Sequence, residues 1–326
     1  MPQLPLRACA VLAGLALVGI AWSGQAGLHF SPSGLTLAVI PVAAIGVFCD
    51  LTRRSQGWTD GAYYLALWLA TLQVLNILSF LAASVGGPLL DDQFERIDAA
   101  LGFSWRAWHD FVASAPTLNG ILALAYYSGL LQVLASLIYF ARTGQTVGNQ
   151  ELWWTALAGL LMTVTISALL PAIGAFVHFQ SDLARADHAA TLLALRDGSI
   201  THFSETKGIV TLPSYHTTQA ILLMYVHRGQ RRVLPSAVLL NLLMLLSTPT
   251  FGGHYLIDMI AGAAVAAVAI LVVRAGLGRQ ALRAVHAGAR PAGAPCVLAP
   301  VAADSEALPG IEPVTEVLPP AAGTAP

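Results

Sequence analysis

Two short stretches of this chain carry side chains spaced for proton and phosphoryl chemistry. The first is Leu212-Pro213-Ser214-Tyr215-His216-Thr217-Thr218, at the head of an apolar run. Proline suits a first helical turn, where its missing N–H had no partner. The free N–H groups and positive end of such a helix form a site for phosphate, to which Ser214 adds a hydroxyl and His216 an imidazole. The second stretch is Gly252-Gly253-His254-Tyr255-Leu256-Ile257-Asp258, at the head of another run. His254 and Asp258 are four residues apart and so share one helix face. A carboxylate in that position accepts the Nδ1–H, fixes the tautomer and leaves Nε2 with a free lone pair, as in an activated nucleophile. On spacing alone, the pair serves equally well as a brace between helices.

The elements that position these stretches are membrane helices. Of 326 residues, 56% are apolar and 10% charged, where a soluble domain carries about 25% charged residues. An ordinary cytosolic enzyme, a disordered protein and a basic nucleic-acid-binding surface are all excluded. The three cysteines have no metal-ligand spacing. Runs long enough for a bilayer core of about 30 Å number about eight. They lie near 7–24, 34–51, 62–86, 117–141, 152–178, 210–227, 233–250 and 254–273. The first is read as a retained helix, with a cleaved signal peptide as the alternative. The expected fold is an all-α polytopic bundle, with membrane helices over 1–90, a catalytic membrane region over 91–275 and a disordered cytoplasmic tail over 286–326.

Loop charges orient the bundle. With an inside N-terminus, eleven of the sixteen Lys and Arg residues fall on one side, Arg228, Arg231 and Arg232 among them. That side is expected to be cytoplasmic, in a bacterial-type plasma membrane, with His227 in a solvated basic loop. The other side carries two long segments. Residues 87–116 alternate acids with aromatics, as an amphipathic element at the membrane surface does. Residues 179–209 are polar and suit a pocket lid. Both histidine stretches then sit at the outer ends of their helices. Two histidines facing one phosphate-sized gap divide the work: His254 attacks phosphorus and His216 protonates the leaving alkoxide. These roles need opposite protonation states, hence a bell-shaped rate profile. Tyr126, Tyr127 and Gln132 are candidates to line a headgroup pocket, or simply to pack, and Asn76 and Asn241 to bond between helices.

The same residues carry a resemblance. Pro213-Ser214-Tyr215-His216 and Ser247-Thr248, His254 and Asp258 resemble the second and third signatures of the type 2 phosphatidic acid phosphatase superfamily, P-S-x-H and S-R-x5-H-x3-D. The full wording, with Asp98-Ala-Ala-Leu-Gly-Phe-Ser-Trp upstream, looks most like its inositol phosphorylceramide synthase-like (inositolphosphotransferase) branch, over about 90–270. The resemblance implies His254 as nucleophile, Asp258 as its orienting partner, His216 as general acid and Ser214 as a phosphate ligand, with no metal and no cofactor. Thr248 stands where the third signature has arginine, and the first signature, K-x6-R-P, is absent. Lys207 and Arg196 are therefore expected to offset the phosphate charge, and a lipid phosphotransferase is favoured over simple phosphatidate hydrolysis. The expected partners are a lipid phosphate or phospholipid, a lipid hydroxyl acceptor and the bilayer, without nucleic acid. The rival readings are a phosphatase that uses water, a proton-coupled transporter built on the His–Asp pair, and an inactive scaffold.

Overall fold

Lipid offers no hydrogen bonds to the backbone, so a run of apolar residues that crosses it must be helical. The structure, a computed structural model, describes residues 3–31, 34–52, 56–180, 187–203 and 208–286. Among them the order is α1 (Gln3–Ala26), β1 (His29–Phe30), α2 (Gly34–Leu51), α3 (Gln56–Ser84), α4 (Asp91–Ala100), α5 (Trp105–Ser114), α6 (Pro116–Tyr127) and α7 (Gly129–Arg142). There follow α8 (Thr146–Leu169), α9 (Ala175–His178), α10 (Asp187–Arg196), β2 (His202–Phe203), α11 (Tyr215–Val226), α12 (Leu234–Gly252) and α13 (Leu256–His286). The protein is all-α; the two-residue strands pair in parallel and tie the α1–α2 loop to the segment after α10. The chain divides into units Met1–Leu277 and Gly278–Pro326. All that follows concerns the first, and the tail expected to be disordered lies outside the described residues from 287 onward.

Among the described residues five helices (α1, α3, α8, α12 and α13) are long and apolar enough to cross a membrane, and the number is six if the bent α6–α7 pair is one span. The other two expected runs form shorter helices, α2 with its apolar stretch Leu37–Leu51 and α11 with 12 residues. Two boundaries differ from the sequence expectation. The run at 117–141 is broken at Ser128, where α6 and α7 meet at 50°. The run at 152–178 ends as a helix at Leu169, because Pro171 has no N–H to continue the ladder.

Packing between these helices uses polar as well as apolar contacts. Trp153 Nε1 of α8 donates to Thr71 Oγ1 of α3 at 3.0 Å, inside the main apolar cluster. Asn241 Nδ2 of α12 donates to Gln132 Oε1 of α7 at 2.8 Å, the interhelical role expected of it. At the far end of the bundle, the buried Glu151 of α8 accepts a forked pair of bonds from Arg228, each 2.9 Å. His227 corrects the sequence reading: it is buried, not solvated, with Nε2 at 2.9 Å from Ser136 Oγ. Its charged neighbours in the chain point elsewhere.

At the opposite end, α4 and α5 are amphipathic. Asp91, Phe94 and Asp98 form the buried face of α4. Ser104 caps α5, and Trp105 Nε1 donates to Pro249 O of α12 at 2.9 Å. The acid–aromatic alternation is thus an inward-facing device as much as a surface one.

A close helix approach joins the start of α11 to α13. Thr218 Oγ1 donates to Gly262 O at 2.9 Å, and a Cβ on Gly262 would lie 2.4 Å from Ser214 O. Only a missing side chain permits this contact. Gly262→Leu is expected to destabilise the fold by about 1–3 kcal/mol through overpacking, seen as a lowered thermal midpoint in detergent. An unchanged midpoint would show that the two helices separate freely.

Candidate active site

Ser214 starts α11 as its N-cap: the backbone turns extended, and the hydroxyl accepts from Thr217 N at 3.4 Å. Pro213 therefore stands one residue before the cap, after a cis Leu212–Pro213 bond, and not inside the first turn as its sequence position suggested. His216 follows in the first turn. Its Nδ1 lies 3.2 Å from Tyr126 Oη, and the two rings stack with centroids 4.2 Å apart. Tyr126 is the penultimate residue of α6, so the break at Ser128 is what ends α6 beside His216.

His254 lies in the turn between α12 and α13. Its Nδ1 is 3.2 Å from Asp258 Oδ2, across one turn of α13. The same oxygen accepts from Tyr255 N at 3.0 Å, and Asp258 O accepts from Ser214 N at 2.9 Å. The His254–Asp258 pair is thereby joined through the backbone to the cap of the helix that bears His216. Asp258 is fully buried and His254 nearly so.

Both imidazoles line one cavity of about 440 Å³. Leu72, Leu75, Asn76 and Ser79 of α3 form one wall, and Leu160, Thr163 and Val164 of α8 continue it. So α3, which the sequence placed in a separate N-terminal region, contributes directly to this space. Among the described lining residues there is no Asp, Glu, Lys or Arg. Nearly all the polar capacity comes from histidines, hydroxyls and an amide.

The other expected phosphate ligands fall differently. Ser214 is fully buried, its hydroxyl accepts from Thr217 N, and it is not among the residues that line the cavity. Arg196, at the end of α10, does not line it either; its Nε and Nη2 are buried without hydrogen-bond partners among the described residues. Lys207 lies outside the described residues. Thr248, in the place of the signature arginine, is fully buried and donates to Met244 O at 2.8 Å within α12.

Several residues were given no role in the site by the sequence reading. His188, read as a polar loop residue, lines the cavity with Nε2 3.1 Å from Ile173 O. Asp98 accepts from Leu256 N at 2.7 Å and Ile257 N at 2.9 Å, the opening N–H groups of α13. Burial pushes its carboxyl above the usual range, and these two N–H groups pull it back. Asp91 accepts from Ile173 N and Gly174 N, both 2.9 Å, and from Tyr255 Oη at 3.0 Å. The available signal was the spacing of Asp91, Phe94 and Asp98 on one face of an otherwise exposed helix.

Gly252 brings the two halves of the site together. A Cβ there would lie 2.5 Å from His254 Cδ2, 3.1 Å from His254 Nε2 and 2.9 Å from Tyr126 Oη. Gly252→Ala must displace the His254 ring or Tyr126, and with it the hydroxyl on His216. A fall in kcat of about 100-fold is expected, with the folded fraction retained. Wild-type turnover in this variant would show that the spacing of the two rings is uncritical.

An imidazole paired with a buried carboxylate and a second imidazole thus line one partly open cavity whose walls are largely apolar. Comparison with curated proteins and with solved structures returned no match. The sequence model of the PAP2 superfamily matches residues 92–272, a span that holds both histidine turns, α4 and most of the helices between. More than half of the chain is covered by that match, and the chain belongs to the PAP2 superfamily.

Proposed function

We propose that this membrane protein is a lipid phosphoesterase or headgroup phosphotransferase that works through a phosphohistidine. One observation carries the reading: His254, backed by Asp258, and His216, backed by Tyr126, open onto the same cavity in a chain of this superfamily.

In the first step His254 Nε2 attacks phosphorus, and the bond from phosphorus to the leaving oxygen breaks. Asp258 holds the Nδ1–H and stabilises the positive charge that develops on the ring. His216 delivers a proton to the departing alkoxide. Tyr126 fixes its tautomer: an Oη–H donated to Nδ1 leaves Nε2–H free to act as the acid. In the second step the roles reverse. His216 takes a proton from water or from an alcohol, whose oxygen displaces His254 from phosphorus.

A lipid substrate is supported by the apolar walls from α3 and α8, which lead from the histidines along helices that face lipid. The acceptor decides between the two activities. Loss of the signature arginine, replaced by a buried threonine, weakens the case for a phosphate monoester and favours transfer of a phosphorylated headgroup to a lipid hydroxyl, as in inositol phosphorylceramide synthase-like enzymes. We place the cavity at the extracytoplasmic face of a plasma membrane, because the arginine-rich loops lie at the other ends of these helices.

Purified protein in mixed micelles, supplied with a radiolabelled phospholipid donor with and without a diacylglycerol or ceramide acceptor, tests this reading. A phosphorylated lipid product that needs the acceptor marks a transferase; free headgroup phosphate without it marks a phosphatase. His254→Ala is expected to reduce either activity to background, and His216→Gln to lower it about 10²- to 10⁴-fold. Acid-labile label trapped on histidine in the wild type is expected in both cases. Turnover surviving in His254→Ala, or no label on histidine, would remove this mechanism.

A further inference from the structure

The first turn of α13 has an unusual occupant. A helix N-terminus presents free N–H groups and partial positive charge, which makes it a natural seat for a phosphate. Here the N–H groups of Leu256 and Ile257 are both taken by the carboxylate of Asp98, which reaches across from α4 as a fork. The N–H of Tyr255 is taken by Asp258. This helix end therefore holds protein carboxylates in place of substrate. Asp98 is 2% exposed and Asp91, one face-repeat earlier on α4, 5%. Buried carboxylates are costly unless their oxygens are hydrogen-bonded. These two meet that cost only through the turn that carries His254 and the segment packed against it.

The fork has two consequences for His254. It fixes the rotation of the first turn of α13, and so the direction from which Asp258 reaches Nδ1. It also places a negative charge within one helical turn of the His254–Asp258 pair. We propose that Asp98 is a positioning residue for phosphoryl transfer: it locks the His254–Asp258 turn and sets the field in which the imidazole gains and loses its proton. The inference rests on the reading of His254 as nucleophile. Other titratable groups around that ring are Asp258 and Tyr255 next to it, His216 and Tyr215 from α11, Tyr126 from α6, His188 from α10 and Asp91 from α4. None of them is itself substituted when Asp98 alone is changed.

The test uses full-length protein in phospholipid micelles, with kcat, KM, the pH dependence of kcat/KM and the thermal midpoint measured together. Asp98→Asn keeps the shape and removes the charge. Its kcat is expected to fall about 10- to 100-fold, with KM little changed. The acid limb of its profile should move to lower pH, because a protonated imidazole loses a stabilising negative neighbour. Asp98→Glu keeps the charge but displaces the fork, so its acid limb should return towards the wild-type position while kcat stays reduced. A purely structural role would lower the midpoint and the active fraction and leave the limb where it was; that result overturns the inference. If Asp98→Asn does not fold, wild-type kcat in Asp98→Glu overturns it instead. A wild-type enzyme that forms no phosphohistidine overturns the underlying reading, whereas label on histidine with an unmoved limb overturns only the role of Asp98.

Discussion

The opening turn of α13 is the constraint from which the site is built. Three consecutive N–H groups, of Tyr255, Leu256 and Ile257, each end on a carboxylate oxygen, two of them from another helix. Unsatisfied N–H groups at a buried helix end would cost free energy in a medium that cannot hydrate them. Satisfying them with carboxylates settles several other features together. Asp258 is turned toward His254, Tyr255 is turned toward Asp91, and α4 is drawn against the end of the bundle. The carbonyl of Asp258 then holds Ser214 N, which fixes where α11 begins and hence where His216 stands.

That arrangement changes how a phosphate can be accommodated. Of the two helix ends that face this region, the α13 end is filled by acids. The α11 end is capped by its serine, which does not line the cavity, and His216 projects from the first turn. No Lys or Arg among the described residues reaches the lining. In the proposed reaction the described lining offers a phosphoryl group the first turn of α11 and the imidazoles, one of which carries the proton it delivers, and such a lining suits a phosphodiester monoanion better than a monoester dianion.

What the sequence disclosed depended on how local the determining contacts were. His254 and Asp258 lie one helical turn apart, so their pairing could be read from spacing, and the alternation of spans put His216 at the same end. Contacts between distant parts of the chain were opaque. Asp98 caps a helix 158 residues away, and nothing near it announces its partner. His227 looked solvated because arginines follow it, yet the ring turns inward to Ser136 across 91 residues. The break at Ser128 escaped notice because hydropathy averages over a window and serine is no strong helix breaker. Pro171 is different: it was visible, and the apolar residues around it concealed a stop signal that its missing N–H should have supplied. Ser214 suits both a phosphate and a helix cap by its type; the cap uses its oxygen as an acceptor and leaves its O–H free to donate.

The same contacts join the membrane surface to the chemistry. α4 and α5 present Ile97, Leu101 and Phe111 outward as exposed apolar groups, while their inner faces hold the histidine turn through Asp98 and the end of α12 through Trp105. Amphipathic helices of this kind seat with their apolar groups at the headgroup boundary. Two hydrogen bonds to one carboxylate of α4 thus hold the first turn of α13 against the helix that carries these exposed apolar groups.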